Sequence, residues 1–257
     1  MFDQLSHKMT ARSTALLLAI DNRLDRILKY WLLLAGLISA ARIVFAPHPV
    51  SGAGVSTFAS YMLLVVAPFA STMLALRWFR DGHRQPQPVI RLAQIGRWQS
   101  VTRFEAERHP LYGPSGILVS LLIGMMLNVP VRAAEYLAAI PPIPEGAPAW
   151  LSALHFAMTF DVILFGSLYM IAFVAALRRV PLFPRLLVAI WMGDLTMQLV
   201  TAEMVTRAGD VPPQVAIALH GLLEGNVKKV LISVALWLPY LLLSKRVNVT
   251  YRLRVPA

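Results

Sequence analysis

Asp194 stands in the middle of FPRLLVAIWMGDLTMQLVTAEMV, residues 183–205, a stretch otherwise apolar enough for a membrane helix. Gln198 and Thr201 follow it at i+4 and i+7, which on a helix is a single face. The same spacing recurs in LNVPVRAAEY as Asn128, Arg132 and Glu135. A third row, His220, Glu224 and Lys228, runs at i, i+4 and i+8, and Asp161 comes from a fourth apolar stretch. A charged side chain at the centre of a bilayer helix costs roughly 2.5–3.5 kcal/mol. Such residues therefore face the interior of a bundle or a water-filled cavity, and they mark proton and ligand pathways.

Depth brings the rows together. At about 1.5 Å of rise per residue, Arg132 lies roughly 26 Å from the basic end of its stretch, and Asp161 and Lys228 each roughly 24 Å. Asp194 lies roughly 18 Å in on the same rise. The expectation is one polar cluster of Asn128, Arg132, Glu135, Asp161, Asp194, Gln198, Thr201, Glu224 and Lys228. With every acid and base ionised, its six charged members carry a net negative charge, which is costly where the dielectric constant is low. A proton on a carboxylate, a bound cation or entering water would relieve it. Each member also has a plainer reading. Arg132 with Asp161 or Asp194 could be a bridge that fixes helix register. Glu135 and Glu224 could mark span ends, and His155 and His220 fall near the outer interface. Pro130 removes a backbone hydrogen bond and is expected to kink its helix, freeing a carbonyl near residue 126.

The elements that would position these residues are long and apolar. Of 257 residues 57% are apolar and 14% charged, against roughly 25% charged in a soluble domain, and the mean hydropathy is +0.62. Six stretches reach spanning length, taking about 20 residues per crossing: 27–46, 57–77, 115–139, 150–177, 182–206 and 216–244. The last has an alternative, a re-entrant piece over 214–226 followed by a span from about 228.

Basic residues alternate between connections. Residues 47–56 and 140–149 have no Lys or Arg and 207–213 only Arg207, whereas 78–113, the turn at Arg178, Arg179 and Arg185, and both terminal segments are rich in them. The positive-inside rule then places both termini in the cytoplasm. The expected fold is an all-α polytopic membrane bundle of six helices, multi-pass in a bacterial inner membrane. The formal net charge of +11 reads as topological, facing anionic lipid headgroups and not nucleic acid.

Leu16, Ile20 and Leu24 predict an interfacial amphipathic helix ahead of the first span. Leu92, Ile95, Trp98, Val101 and Phe104, three apart, predict a surface helix in the loop after the second. The organisation expected is residues 1–80 as the interfacial helix plus two spans, 81–113 as a basic loop or surface helix, and 114–257 as a four-span unit. With no cysteine and six scattered histidines, no metal site and no cofactor is expected. No phosphate-binding glycine loop or nucleophile elbow occurs.

WLPYLLLSKRVNVTYR, residues 237–252, resembles the closing signature W-x-P-Y-x-x-x-S-x-R-V-x-x-T-F of a bacterial membrane family, domain-of-unknown-function family 2569. Trp237, Pro239, Tyr240, Ser244, Arg246, Val247 and Thr250 match, and Tyr251 stands where that signature has Phe. RRVPLFPRLLVAIW is similar to the family's basic turn and Phe-Pro helix entry. The resemblance spans the last four stretches and implies a four-helix unit without an assigned activity. Read physically, Trp237 and Tyr240 sit near an interface while Lys245 and Arg246 hold the end in the cytoplasm.

Three functions follow. The first is a non-catalytic subunit of a membrane complex, with a membrane-protein partner or a second copy. The second is a small permease-like transporter using the polar cluster. The third is a lipid-modifying enzyme, for which Asp161 and Asp194 are the available pair.

Overall fold

In the computed structural model residues 2–45, 55–90, 92, 96–140, 143 and 146–257 are described. Six helices among them are long and apolar enough to cross a membrane, and the chain is a multi-pass membrane protein on that basis. They are α1 (Phe2–Val44), α2 (Val55–Trp78), α4 (Ile117–Ala139), α5 (Ala149–Leu177), α6 (Phe183–Arg207) and α7 (Pro213–Leu243). Short α3 (Arg103–Arg108) and α8 (Lys245–Arg252) and strands β1 (Trp98–Ser100) and β2 (Arg254–Pro256) gather at one end of the bundle. This basic end also holds the turn at Arg178 and Arg179.

Helix α5 is the central element. It packs against α2, α4 and α6, and from Ala172 to Leu177 it is buried all round. Close approach is local: a Cβ on Gly166 would meet the Pro68 ring of α2 at 3.6 Å and Val129 of α4 at 4.0 Å. Pro68 interrupts the α2 ladder without ending the helix, and Ser71 and Thr72 donate to its carbonyl at 3.0 and 2.6 Å. Pro130 likewise sits inside α4. Helix α7 packs mainly on α6 and is unbroken from Pro213 to Leu243, so residues 214–226 are not a separate re-entrant piece.

Two expectations are corrected. The interfacial helix and the first span are one 43-residue helix, about 65 Å long at 1.5 Å per residue, twice the hydrocarbon thickness. Its inward row is Leu17, Leu24 and Leu28, while Leu16 is exposed. One continuous helix must keep a single register through to Ala35, which is also buried. The loop after α2 is not a surface helix along its length. Residues 91 and 93–95 lie outside the described residues, Gly96 takes a φ of +102°, and Trp98–Ser100 is extended. It pairs antiparallel with the C-terminal strand, Gln99 opposite Val255, because the chain's end supplies a ladder partner that local periodicity does not show. Among its described residues the helical pieces are a 3-10 turn at Gly82–Arg84 and the short helix Arg103–Arg108, started by a capping box between Thr102 and Glu105. The backbone bond to Thr102 is the main cause holding Glu105 below its ordinary carboxylate value.

The α5 C-terminus ends in a Schellman motif. Val180 N–H donates to the Ala175 carbonyl and Arg179 N–H to that of Ala176. Arg179 occupies the left-handed position (φ +57°), where glycine is usual and any other residue costs about 1–2 kcal/mol.

Candidate functional site

Helices α4, α5 and α6 bring Arg132, Asp161 and Asp194 together. The Arg132 guanidinium donates to Asp194 Oδ1 at 2.7 Å and lies 3.6 Å from Asp161 Oδ2. The second distance is an ion pair too long for a hydrogen bond, and Arg132 Nη1 has no hydrogen-bond partner. Gln198 donates to Asp161 Oδ1 at 3.2 Å and Asp194 Oδ1 at 3.4 Å. Tyr169 donates to Asp194 Oδ2 at 3.2 Å, and Asn226 of α7 donates to Gln198 Oε1 at 3.3 Å. Asp161, Asp194, Gln198 and Thr201 are all under 5% exposed, so the rows read from spacing face protein. Phe165 supports the triad from below, its ring centroid 5.2 Å from the guanidinium carbon. One base between two acids leaves a net charge of −1 when all three are ionised.

Other members of the expected cluster separate. Lys228 and Glu224 pair with each other on an exposed face of α7, with side chains 66% and 51% exposed, and neither reaches the triad. The residue that crosses to α4 is Lys229, which pairs with Glu135. The physical reason is the inward face of α7, fixed by Leu223, Val230 and Leu241. Asn226, Lys229, Ser233 and Trp237 run along that face at i, i+3, i+7 and i+11, whereas Lys228 points about 100° away. Thr201 is buried below Gln198 on the Asp194 stripe.

Between α4 and α7 lies a cavity of about 150 Å³ lined by Asn128, Arg132, Glu135, Tyr169, Asp194, Asn226, Lys229 and Ser233, with Trp191 and Trp237 among its apolar walls. Arg132 separates it from a smaller hollow of about 20 Å³ beside Asp161 and Tyr136. Besides Lys229, sequence spacing missed Phe165, Tyr169, Asn226 and Ser233. Phe165 and Tyr169 continue the Asp161 face at i+4 and i+8, so that signal was present. Asn226 and Ser233 are uncharged and carried none.

His155 is not a solvated histidine. It is 7% exposed, 3.3 Å from the Tyr136 hydroxyl and 3.4 Å from Thr159 Oγ1, and those two hydroxyls are 2.6 Å apart. His220 is exposed.

The C-terminal signature residues act at the basic end as a clamp more than as an anchor. Ser244 caps α8 by accepting from Val247 N–H. Arg246 donates to the carbonyls of Leu111 and Gly113, both at 3.3 Å. Thr250 Oγ1 accepts from Gly113 N–H at 3.0 Å. Tyr251, fully buried, donates its hydroxyl to Ala176 O at 2.9 Å and packs on Phe183 at 5.0 Å, a bond that phenylalanine could not make. Trp237 is a cavity wall and packs edge-on against Tyr240. Burial holds Arg246 below its ordinary value, and burial with Arg254 and Arg185 nearby lowers Arg252 to about 10.

No known family, curated protein or solved structure matches this chain. The likeness to family 2569 therefore rests on residues 178–191 and 237–252 alone.

Proposed function

We propose that this chain is a small permease-like membrane protein that binds a small polar solute in the cleft between α4 and α7, with a proton or monovalent cation taken up beside Asp161 and Asp194. The observation carrying this reading is the continuity between the buried triad and the cavity. A bridge that only fixed helix register would be sealed by apolar packing, whereas Arg132, Tyr169 and Asp194 line an open space whose far wall is Asn226, Lys229 and Ser233. The triad's residual charge of −1 supplies a reason for a cation to enter. Volume limits the solute to a handful of heavy atoms; an apolar cavity of similar size takes up benzene.

In this reading both termini and the basic end face the cytoplasm of a bacterial inner membrane. Both carboxylates are engaged by Arg132 and Gln198, which favours charge storage over the paired-acid chemistry of an enzyme. The non-catalytic subunit reading draws support from the bareness of α7 toward the outside, which would suit a helix partner.

The test uses proteoliposomes containing a pH-sensitive dye and a panel of small amines, carboxylates and zwitterions. At least one solute is expected to change internal pH with wild-type protein and not with Asp194→Asn. That variant leaves Arg132 balanced by Asp161 and should still fold. No solute response, together with a large loss of melting temperature in Asp194→Asn, would make the triad a structural bridge.

A further inference from the structure

A second cavity, of about 510 Å³, opens at the basic end between α1, the turn after α2, the loop entering α4 and the α5–α6 turn. Arg80, Arg178, Arg179, Arg246 and His83 line it, and Asp21 is the acid on its wall. Arg178 is spoken for, paired with Asp21 at 3.2 Å. Among the described residues no carboxylate lies within ion-pair distance of Arg80, Arg179 or Arg246. Arg80, Arg179 and Arg246 thus line a hollow whose acid among the described residues, Asp21, is paired with Arg178.

Two details show that this arrangement is built. Arg179 holds the left-handed position that glycine would fill without strain, and from there its guanidinium carbon sits 5.2 Å from the Tyr112 ring centroid. An arginine standing in this strained position points to a use for its side chain. Arg246 is fixed by the Leu111 and Gly113 carbonyls, so its charge is placed before any ligand arrives. Tyr112 lies on the same wall, and burial, outweighing the bond from Arg179, raises it above its ordinary phenol value. Helix α4 begins at Gly116 beside Ser115, with the Gly116 N–H donating to Ser13 Oγ at 2.7 Å, and its positive end adds to the field. Leu17, Leu18 and Leu177 form the apolar part of the wall.

We infer that this cavity binds a phosphate-bearing anion, supplied either by an anionic phospholipid headgroup at the membrane surface or by a soluble phosphate compound. Planar guanidinium forks match phosphate oxygens in pairs, and basic pockets between helices at a membrane face take lipid headgroups.

The test compares the full-length wild type with the double variant Arg80→Gln/Arg179→Gly. One arm titrates phosphatidylglycerol against phosphatidylcholine in detergent and reads retained lipid by native mass spectrometry. The other titrates inorganic phosphate and pyrophosphate and reads thermal unfolding. Each arginine removed should weaken binding about fivefold, so the pair roughly twenty-five-fold. Arg179→Gly should melt at or above the wild type because it relieves the left-handed residue, which separates lost binding from lost folding. Selective retention of phosphatidylglycerol assigns the lipid source, and a response to inorganic phosphate or pyrophosphate assigns a soluble one. Equal retention of both lipids with no response to either anion overturns the inference, as does a double variant that binds like the wild type.

Discussion

Helices α5 and α7 cross the same bundle and share almost nothing in how they are held. In their most apolar windows, 67% of residues in α5 are buried inside the protein and only 11% in α7. Helix α5 sits between α2, α4 and α6, whereas α7 leans on α6 and meets α4 through the Lys229–Glu135 pair and the rim of the cavity. In lipid, apolar side chains gain little by turning inward, so association depends on close packing and polar contacts. Helix α5 has the close packing, with Gly166 against Pro68 and Val129. Helix α7 depends on a single narrow stripe, the buried Leu223, Val230 and Leu241 beside Asn226, Lys229, Ser233 and Trp237. A well-packed mast beside a lightly held helix is an arrangement that lets a cleft open without unfolding the bundle.

The largest effect should come from the charge centre that α5 shares with α4 and α6. Arg132→Gln leaves Asp161 and Asp194 buried without their cation and should cost about 3–5 kcal/mol, read as a large fall in melting temperature in detergent. Next is packing on the mast. Gly166→Leu has no room beside Pro68 and Val129 and should cost about 1–3 kcal/mol, while Ala235→Leu on the exposed side of α7 should stay within about 0.5 kcal/mol. Equal losses at the two positions would remove the contrast between the helices. Asp161→Asn comes third. It keeps the acceptor for Gln198 and brings the triad to charge balance, so its melting temperature should match or slightly exceed that of the wild type. The smallest change belongs to Glu224→Gln: its i, i+4 pair with Lys228 is exposed on both sides, and the melting temperature should not move.

Much of the architecture was legible because hydropathy and helix length are properties of contiguous residues. So was the heart of the site: the i, i+4, i+7 spacing put Asp194, Gln198 and Thr201 on one face, and depth matched Arg132 and Asp161 to them. What failed was the rotation of α7. Lys228 and Lys229 sit at the same depth, and only the buried row of Leu223, Val230 and Leu241 decides which of them faces α4. In a helix apolar nearly all round, that row is invisible before the neighbours are known. The His155 network failed for a related reason, since distance from a span end says nothing about which neighbour covers a side chain. The β1–β2 ladder joins residues more than 150 positions apart, beyond the reach of any local pattern.

The claim on which the rest depends is that the α4–α7 cleft holds water at membrane depth. The chain contains no cysteine, so a single introduced thiol reports its own surroundings, and it reacts as the thiolate, which needs water to form. In proteoliposomes, Ser233→Cys on the cavity wall should be labelled by a charged, membrane-impermeant thiol reagent. Ile232→Cys, one residue away on the outward face and 67% exposed from the protein, should stay unlabelled among acyl chains. Labelling at position 232 alone, or equal labelling at both, would contradict a wet cleft facing α4.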